Sequence, residues 1–206
     1  MFYRQHIFPF LTDHFLSIEP IMMLRRQLLA EVQPPVLEIG MAKGLNLLCY
    51  PPHIQRVTAV DSNPFMVSWA QQRGRTVGVT VDYKLLDARQ LAFPSASFQS
   101  VVSTWTLCSI REARQTLGEI ARVLVPGGRF FFLEHGLAPD RSVRLVQYLM
   151  EPLHRLLVDG CSVTIDMPAL ITAGGFEIET VNSQYVSDMA AYNGYVYMGT
   201  ARKASS

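Results

Sequence analysis

Short apolar runs alternate with helical stretches along most of the chain. Val36 to Ile39 is a compact apolar run that follows Pro34-Pro35 and ends at Gly40, so it reads as a strand entering a tight turn. Arg56 to Val60 is β-branched and apolar and ends at Asp61. Asn63-Pro64 opens a helix over Phe65 to Gln72 that Gly74 is expected to stop. A third strand lies within Val77 to Leu86, ending at Asp87, and a fourth spans Phe98 to Thr104. Arg111 to Leu124 is amphipathic, with Ala113, Leu117, Ile120, Ala121 and Leu124 at helical spacing. Pro126-Gly127-Gly128 makes a turn into a fifth, very apolar strand, Arg129 to Leu133.

Strands alternating with helices predict parallel βαβ units, and near-continuous apolar strands predict a sheet covered on both faces. After residue 135 the rhythm changes. Arg141 to Val158 is a long helix interrupted at Pro152, and Pro168 to Ala173 is a short one ended by Gly174-Gly175. Phe176 to Val181 and Tyr192 to Ala201 form a closing pair of strands. The expected fold is a doubly wound, Rossmann-like α/β domain over residues 31–206, with seven mostly parallel strands and an antiparallel final strand. Residues 1–30 read as helix broken by Pro9 and Pro20. Their aromatics Tyr3, His6, Phe8, Phe10, His14 and Phe15 suggest a lid over the site. Peripheral membrane contact is an alternative use of the same segment.

Composition narrows the function classes. The chain has 206 residues, 49% hydrophobic and 17% charged, which suits one folded domain. A formal net charge of +1 gives no clustered basic face for a nucleic acid. No stretch of about 18 apolar residues predicts a spanning helix. Arg4, Asp13, Glu19, Arg25 and Arg26 break up the first thirty residues where a secretory segment needs an apolar core. Three widely spaced cysteines, Cys49, Cys108 and Cys161, suggest a reducing, cytoplasmic setting and no metal site. Cys161 reads as a small buried residue.

In a doubly wound sheet, ligands bind at the carboxyl ends of the strands. Glu38 closes the first strand ahead of the loop Gly40-Met41-Ala42-Lys43-Gly44. A dinucleotide loop wants a small third residue where Leu45 stands, so a nicotinamide dinucleotide fits poorly. Asp61, 23 residues after Glu38, is placed to accept from a ribose diol, or alternatively to cap the next helix. Asp87 accepts hydrogen bonds only, so its partner is an amino group such as adenine N6, with Leu86 and Ala88 flanking the ring.

Together the three strand ends resemble the S-adenosylmethionine (SAM) site of class I methyltransferases, from about Pro35 to Leu133. Asp87 to Pro94, Ser97-Phe98 and Leu124 to Arg129 are similar to small-molecule methyltransferases of the quinone and lipid type. The family's middle loop glycine is Ala42 here, and Gln99 replaces a usual acid. The resemblance implies cofactor contacts from Glu38, Gly40, Ala42, Lys43, Gly44, Asp61, Ser62, Asp87, Ala88 and Thr104, with Lys43 expected to meet the methionine carboxylate. Tyr50-Pro51-Pro52, Leu107 to Ile110, Glu134-His135, Glu151-Pro152 and Asp159-Gly160-Cys161 look like the alkyl-thiol S-methyltransferases. Those enzymes carry an N-terminal hydrophobic anchor that this sequence does not show.

The implied reaction moves a methyl group to a small, fairly apolar acceptor, a thiol first. A phospholipid amine and a quinone precursor are alternative acceptors, and a non-catalytic SAM-binding module is an alternative of another class. An in-line displacement draws mainly on proximity, up to about 7–11 kcal/mol in ideal cases. His135, after the fifth strand, is the preferred catalytic side chain, and Asp159 the second.

Overall fold

The computed structural model describes residues 8–204. Tyr3 and His6 of the aromatic start lie outside the described residues. Helices α1 (Phe8–Phe15) and α2 (Glu19–Leu29) precede β1 (Val36–Ile39). Then come β2 (Arg56–Asp61), α3 (Val67–Val77), β3 (Thr80–Leu85), β4 (Phe98–Thr104), α4 (Ala113–Val123) and β5 (Leu124–His135). The chain closes with α5 (Arg141–Leu157), α6 (Met167–Ala173), β6 (Phe176–Tyr185) and β7 (Tyr195–Lys203). The seven strands are ordered β3-β2-β1-β4-β5-β7-β6. β1 to β5 pair in parallel, whereas β7 pairs antiparallel with both β5 and β6. The strand order reverses between β1 and β4, the place where such a sheet opens a crevice.

Each face of the sheet has its own core. On one, Ile21, Leu24 and Leu28 of α2 and Ala70 of α3 pack with Val57, Ala59, Val102 and Phe131. On the other, Leu117 and Ile120 of α4 and Met167 and Ile171 of α6 pack with Leu37, Val101, Phe130 and Phe132. Adjacent phenylalanines of β5 therefore feed opposite layers, as the two-residue period of a strand requires.

Several boundaries differ from the sequence expectation. Pro9 and Pro20 sit in the first turns of α1 and α2, where a missing N–H costs nothing, so they start helices instead of breaking them. Gly74 does not stop α3. A side chain there would strike the Val79 carbonyl at 2.6 Å, so this glycine serves close helix–strand packing, and the left-handed Gly78 ends the helix. Pro152 does not interrupt α5, which runs for 17 residues. Pro152 and Tyr148 both lie on the exposed face of the helix, where a lost backbone bond costs least. β6 extends to Tyr185, and β7 begins at Tyr195 instead of residue 192. Among the described residues no helix is long and apolar enough to cross a membrane.

Candidate active site

The carboxyl ends of β1, β2, β4 and β5 open on one cavity of about 810 Å³. Glu38, Asp61 and Asp87 all line it, with Gly40, Ala42, Lys43, Ser62, Ala88, Thr104, His135 and Asp159. Gly44 shapes the loop from behind. It takes φ +79, and a side chain there would press on Leu47. Gly40 takes φ +71 beneath Thr106, whose hydroxyl would lie within 2.0 Å of an added Cβ, so only glycine fits the turn. Ala42 also lies in the left-handed region, at φ +47.

Glu38 sits at the floor of the loop, almost fully buried. It accepts from Asn46 Nδ2 at 3.0 Å and from the Tyr50 hydroxyl at 2.7 Å. Arg25 of α2, 4% exposed, donates to Asn46 Oδ1 at 2.6 Å and to the Thr104 hydroxyl at 2.8 Å. Its guanidinium also lies 4.7 Å from the Trp105 ring centroid. Burial pushes the Glu38 carboxyl up to about 7 against the pull of Tyr50 and Arg25, and lowers Arg25 to about 10.

Asp61 accepts from the Ala42 N–H at 2.9 Å and the Asn63 N–H at 2.8 Å, so it holds the first loop from the end of β2. Burial raises its carboxyl. The cap of the following helical turn is Asn63, whose side chain accepts from Phe65 N, which leaves Asp61 at the cavity wall. Asp87 accepts from Arg89 through both carboxylate oxygens, and Arg89 also reaches Glu112 at 2.6 Å. Lys43 lies 3.7 Å from Asp13 of α1 and 4.5 Å from the Trp69 ring centroid. Asp13 in turn takes two bonds from Arg73, so it ties α1 to the loop and to α3. Burial pushes the Asp13 carboxyl up, and Arg73 and Lys43 outweigh it.

The other end of the cavity is built by distant segments. His135 ends β5, buried at the cavity wall, and its Nδ1 lies 3.3 Å from Cys161 Sγ and 3.8 Å from Cys108 Sγ. The two sulfurs are 3.3 Å apart. Hydrogen bonding from Cys108 pulls the Cys161 thiol well down, and burial opposes it. Glu134 is the brace of this end. Its buried carboxylate accepts from the Ser103 hydroxyl and from the N–H groups of Thr106, Leu107 and Cys108. Glu151 holds the other cysteine segment through the Ser162 hydroxyl and the Val163 N–H. Asp159 stands in a left-handed turn, φ +44, at the wall.

The sequence places Glu38, Asp61, Asp87 and His135 at one rim, and the fold brings them to one cavity. Arg25, Asn46 and Trp105 are site residues that sequence reasoning misses. In the sequence Arg25 is only a charge breaking an apolar segment; its place on a Leu- and Met-rich helix is the available signal. Cys108 and Cys161 are 53 residues apart, and no local pattern announces their meeting.

The cavity suits a sulfonium nucleoside. Two buried donors from residues that line it, Arg25 Nε and Trp105 Nε1, have no partner among the described residues, and carboxylates from β1, β2 and the turn after β3 face one space. A methyltransferase-domain family model matches residues 37–132. Human thiol S-methyltransferase TMT1A is 33% identical over 173 residues, covering 76% of this chain and 70% of that protein. Rat thiol S-methyltransferase TMT1B is 38% identical over 135 residues, and the chain spans about half its length, 54%. In fold, the chain is similar to the N-methyltransferase NodS of Bradyrhizobium japonicum in complex with S-adenosyl-L-homocysteine (TM-score 0.70, 17% identity, 93% and 91% of the two chains). It is also similar to YcgJ of Bacillus subtilis (TM-score 0.67, 18% identity, 90% and 98%). A mostly parallel seven-stranded sheet with antiparallel β7 is the Rossmann-like fold that this chain shares with these structures. The chain belongs to the SAM-dependent methyltransferases.

Proposed function

We propose that this enzyme methylates the sulfur of a small, apolar thiol. The observation that carries this reading is the makeup of the end of the cavity beyond the cofactor loop. Trp105, Leu157, Val158 and Met189 line the cavity there, together with His135, His154, Asp159, Cys161 and Asn193. An apolar thiol buries its chain against such a wall and presents one soft atom to the imidazole. The similarity to thiol S-methyltransferases supports the same acceptor.

Glu38, Gly40, Ala42, Lys43 and Thr104 are the proposed contacts to the methionine part of the cofactor, Asp61 and Ser62 to the ribose, and Asp87 and Ala88 to adenine, while Gly44, expected among them, supports the loop from behind. When bound, SAM supplies an electrophilic methyl on a sulfonium. The chain's own work is then to hold the acceptor's sulfur in line and to exclude water. His135 is the proposed catalytic side chain at that position, Asp159 the second. Helix α1, tied down through Asp13, is proposed as part of a lid; α2, which the sequence assigns to the same lid, packs in the core beneath the sheet.

Transfer of labelled methyl from SAM to a panel of alkyl thiols, phosphatidylethanolamine vesicles and quinols tests the acceptor. Label on the thiols is the expected outcome. Label on the lipid amine or the quinol alone, or on nothing, overturns it. Deletion of residues 1–15 is expected to abolish turnover while circular dichroism stays native, and full activity in the truncated enzyme contradicts the lid.

A further inference from the structure

We propose that Cys108, His135 and Cys161 form a binding site for a soft divalent cation of the zinc class, with its fourth position open to the acceptor end of the cavity. The part concerning the fourth position rests on the thiol reading above; the three protein ligands do not.

The three donor atoms lie within about 0.5 Å of coordination spacing. With bonds of about 2.3 Å to sulfur and about 2.0–2.1 Å to nitrogen, a tetrahedral ion sets S···S near about 3.8 Å and S···N near about 3.5 Å. The observed edges are 3.3 Å for the sulfur pair and 3.3 and 3.8 Å from sulfur to His135 Nδ1. All three side chains are buried, where a soft ion is shielded from water. Two thiolates and a neutral imidazole neutralise a divalent charge and match the ligand preference of zinc over magnesium or calcium.

The cluster is also braced. Glu134 fixes the Cys108 backbone, Glu151 fixes the segment after Cys161, and the Ser162 N–H donates to the Cys108 carbonyl at 2.9 Å. Such outer supports hold metal ligands in place. A second buried imidazole, His154, contacts His135 edge-on at 6.2 Å between centroids, and Nε2 of both rings has no partner among the described residues. Three protein ligands with one open position is the arrangement of catalytic zinc, whereas structural zinc is closed by four.

Binding breaks the S–H bonds of Cys108 and Cys161 and sends both protons to solvent. An acceptor thiol that fills the open position loses its proton the same way, because coordination deprotonates a thiol outright. The acceptor's sulfur is then held as thiolate without a separate base, and His135 acts as a ligand. This assigns a metal where the cysteine spacing in the sequence suggests none.

The test uses the whole chain, purified reduced and free of chelator, and titrated with Co(II) under argon. The expected result is one cobalt per chain with thiolate-to-cobalt charge-transfer absorption and tetrahedral ligand-field bands, displaced by Zn(II). Cys108→Ser and Cys161→Ser are expected to weaken binding at least tenfold. Absence of stoichiometric binding, or unchanged spectra in both variants, overturns the site. X-ray absorption at the zinc edge of the unmutated protein loaded with Zn(II) decides the same question without a variant: mixed sulfur and nitrogen ligation supports the site, and ligation by oxygen and nitrogen alone overturns it. Adding an alkyl thiol to the cobalt form is expected to intensify the charge-transfer band as a third sulfur binds. No change there overturns the open-position claim while leaving the three-ligand site standing. Conversely, thiol methylation by a chain that binds no cation leaves the acceptor reading standing and removes the metal.

Discussion

The two ends of the cavity are assembled in opposite ways. The cofactor end is built from strand ends and their own turns: Glu38, Gly40 and Ala42 lie within five residues of one another, and Asp61 sits one strand over, bonded to the Ala42 N–H. The acceptor end gathers Trp105 and Cys108 after β4, His135 at the end of β5, His154 on α5 and Cys161 beyond it. The first end takes its shape from strand ends and their turns, with Arg25 of α2 tying Asn46 to Thr104 beneath it. The second is fixed by long-range packing through buried braces, Glu134 and Glu151. The two ends meet at Trp105, which lies against both Arg25 and His135, and at Thr106, which donates to the Gly40 carbonyl on one side and to Glu134 on the other.

The largest effect that separates the ends is expected at Arg25. Its removal takes away the cation that faces Glu38 and unties Asn46 and Thr104, so Arg25→Ala should cost about 3 kcal/mol in urea unfolding, the scale of breaking a buried charge network. Arg25→Met with equal loss would show that the charge network, not the packing of the side chain's stem, carries the effect. A pH profile sharpens the same point. Burial raises Glu38 to about 7, so the folded chain binds this proton more tightly than the unfolded one. The resulting stabilisation is complete below the ordinary carboxyl range and is lost as pH climbs through about 7. Glu38→Gln should flatten about 3 kcal/mol of that slope in unfolding free energy measured from pH 4.5 to 8.

Smaller effects belong to the tether and the loop. Asp13→Ala removes the partly buried pair with Arg73 and the contact to Lys43, and should lower the thermal midpoint by about 2–4 °C, near 1 kcal/mol. Ala42→Gly relieves a left-handed alanine at the expense of unfolded-chain entropy. The two terms nearly cancel, so a rise of about 1 °C is expected by calorimetry, and a fall of several degrees would contradict the strain.

This asymmetry also explains what the sequence discloses. Apolar runs and Gly, Pro and Asn punctuation carry β1 to β5, because those signals act within a few residues. The left-handed turn at Gly40 and the strand-end acids are legible for the same reason. Gly74 misleads because close packing and helix termination both call for glycine, and only the Val79 carbonyl beside it tells them apart. Arg25 is hidden because an arginine on an amphipathic helix normally faces water. The Cys108–Cys161 approach is hidden because the two lie 53 positions apart with two helices and a strand between them, and spacing in the chain carries no information about that distance.

Above all, the strand-end acids must share one ligand. Calorimetric titration of S-adenosylhomocysteine into the unmutated enzyme, Asp61→Ala, Asp87→Ala and the double variant tests that requirement. Single-site binding is predicted, weakened by about 1–3 kcal/mol in each single variant and further in the double. Unchanged affinity in both single variants would contradict it.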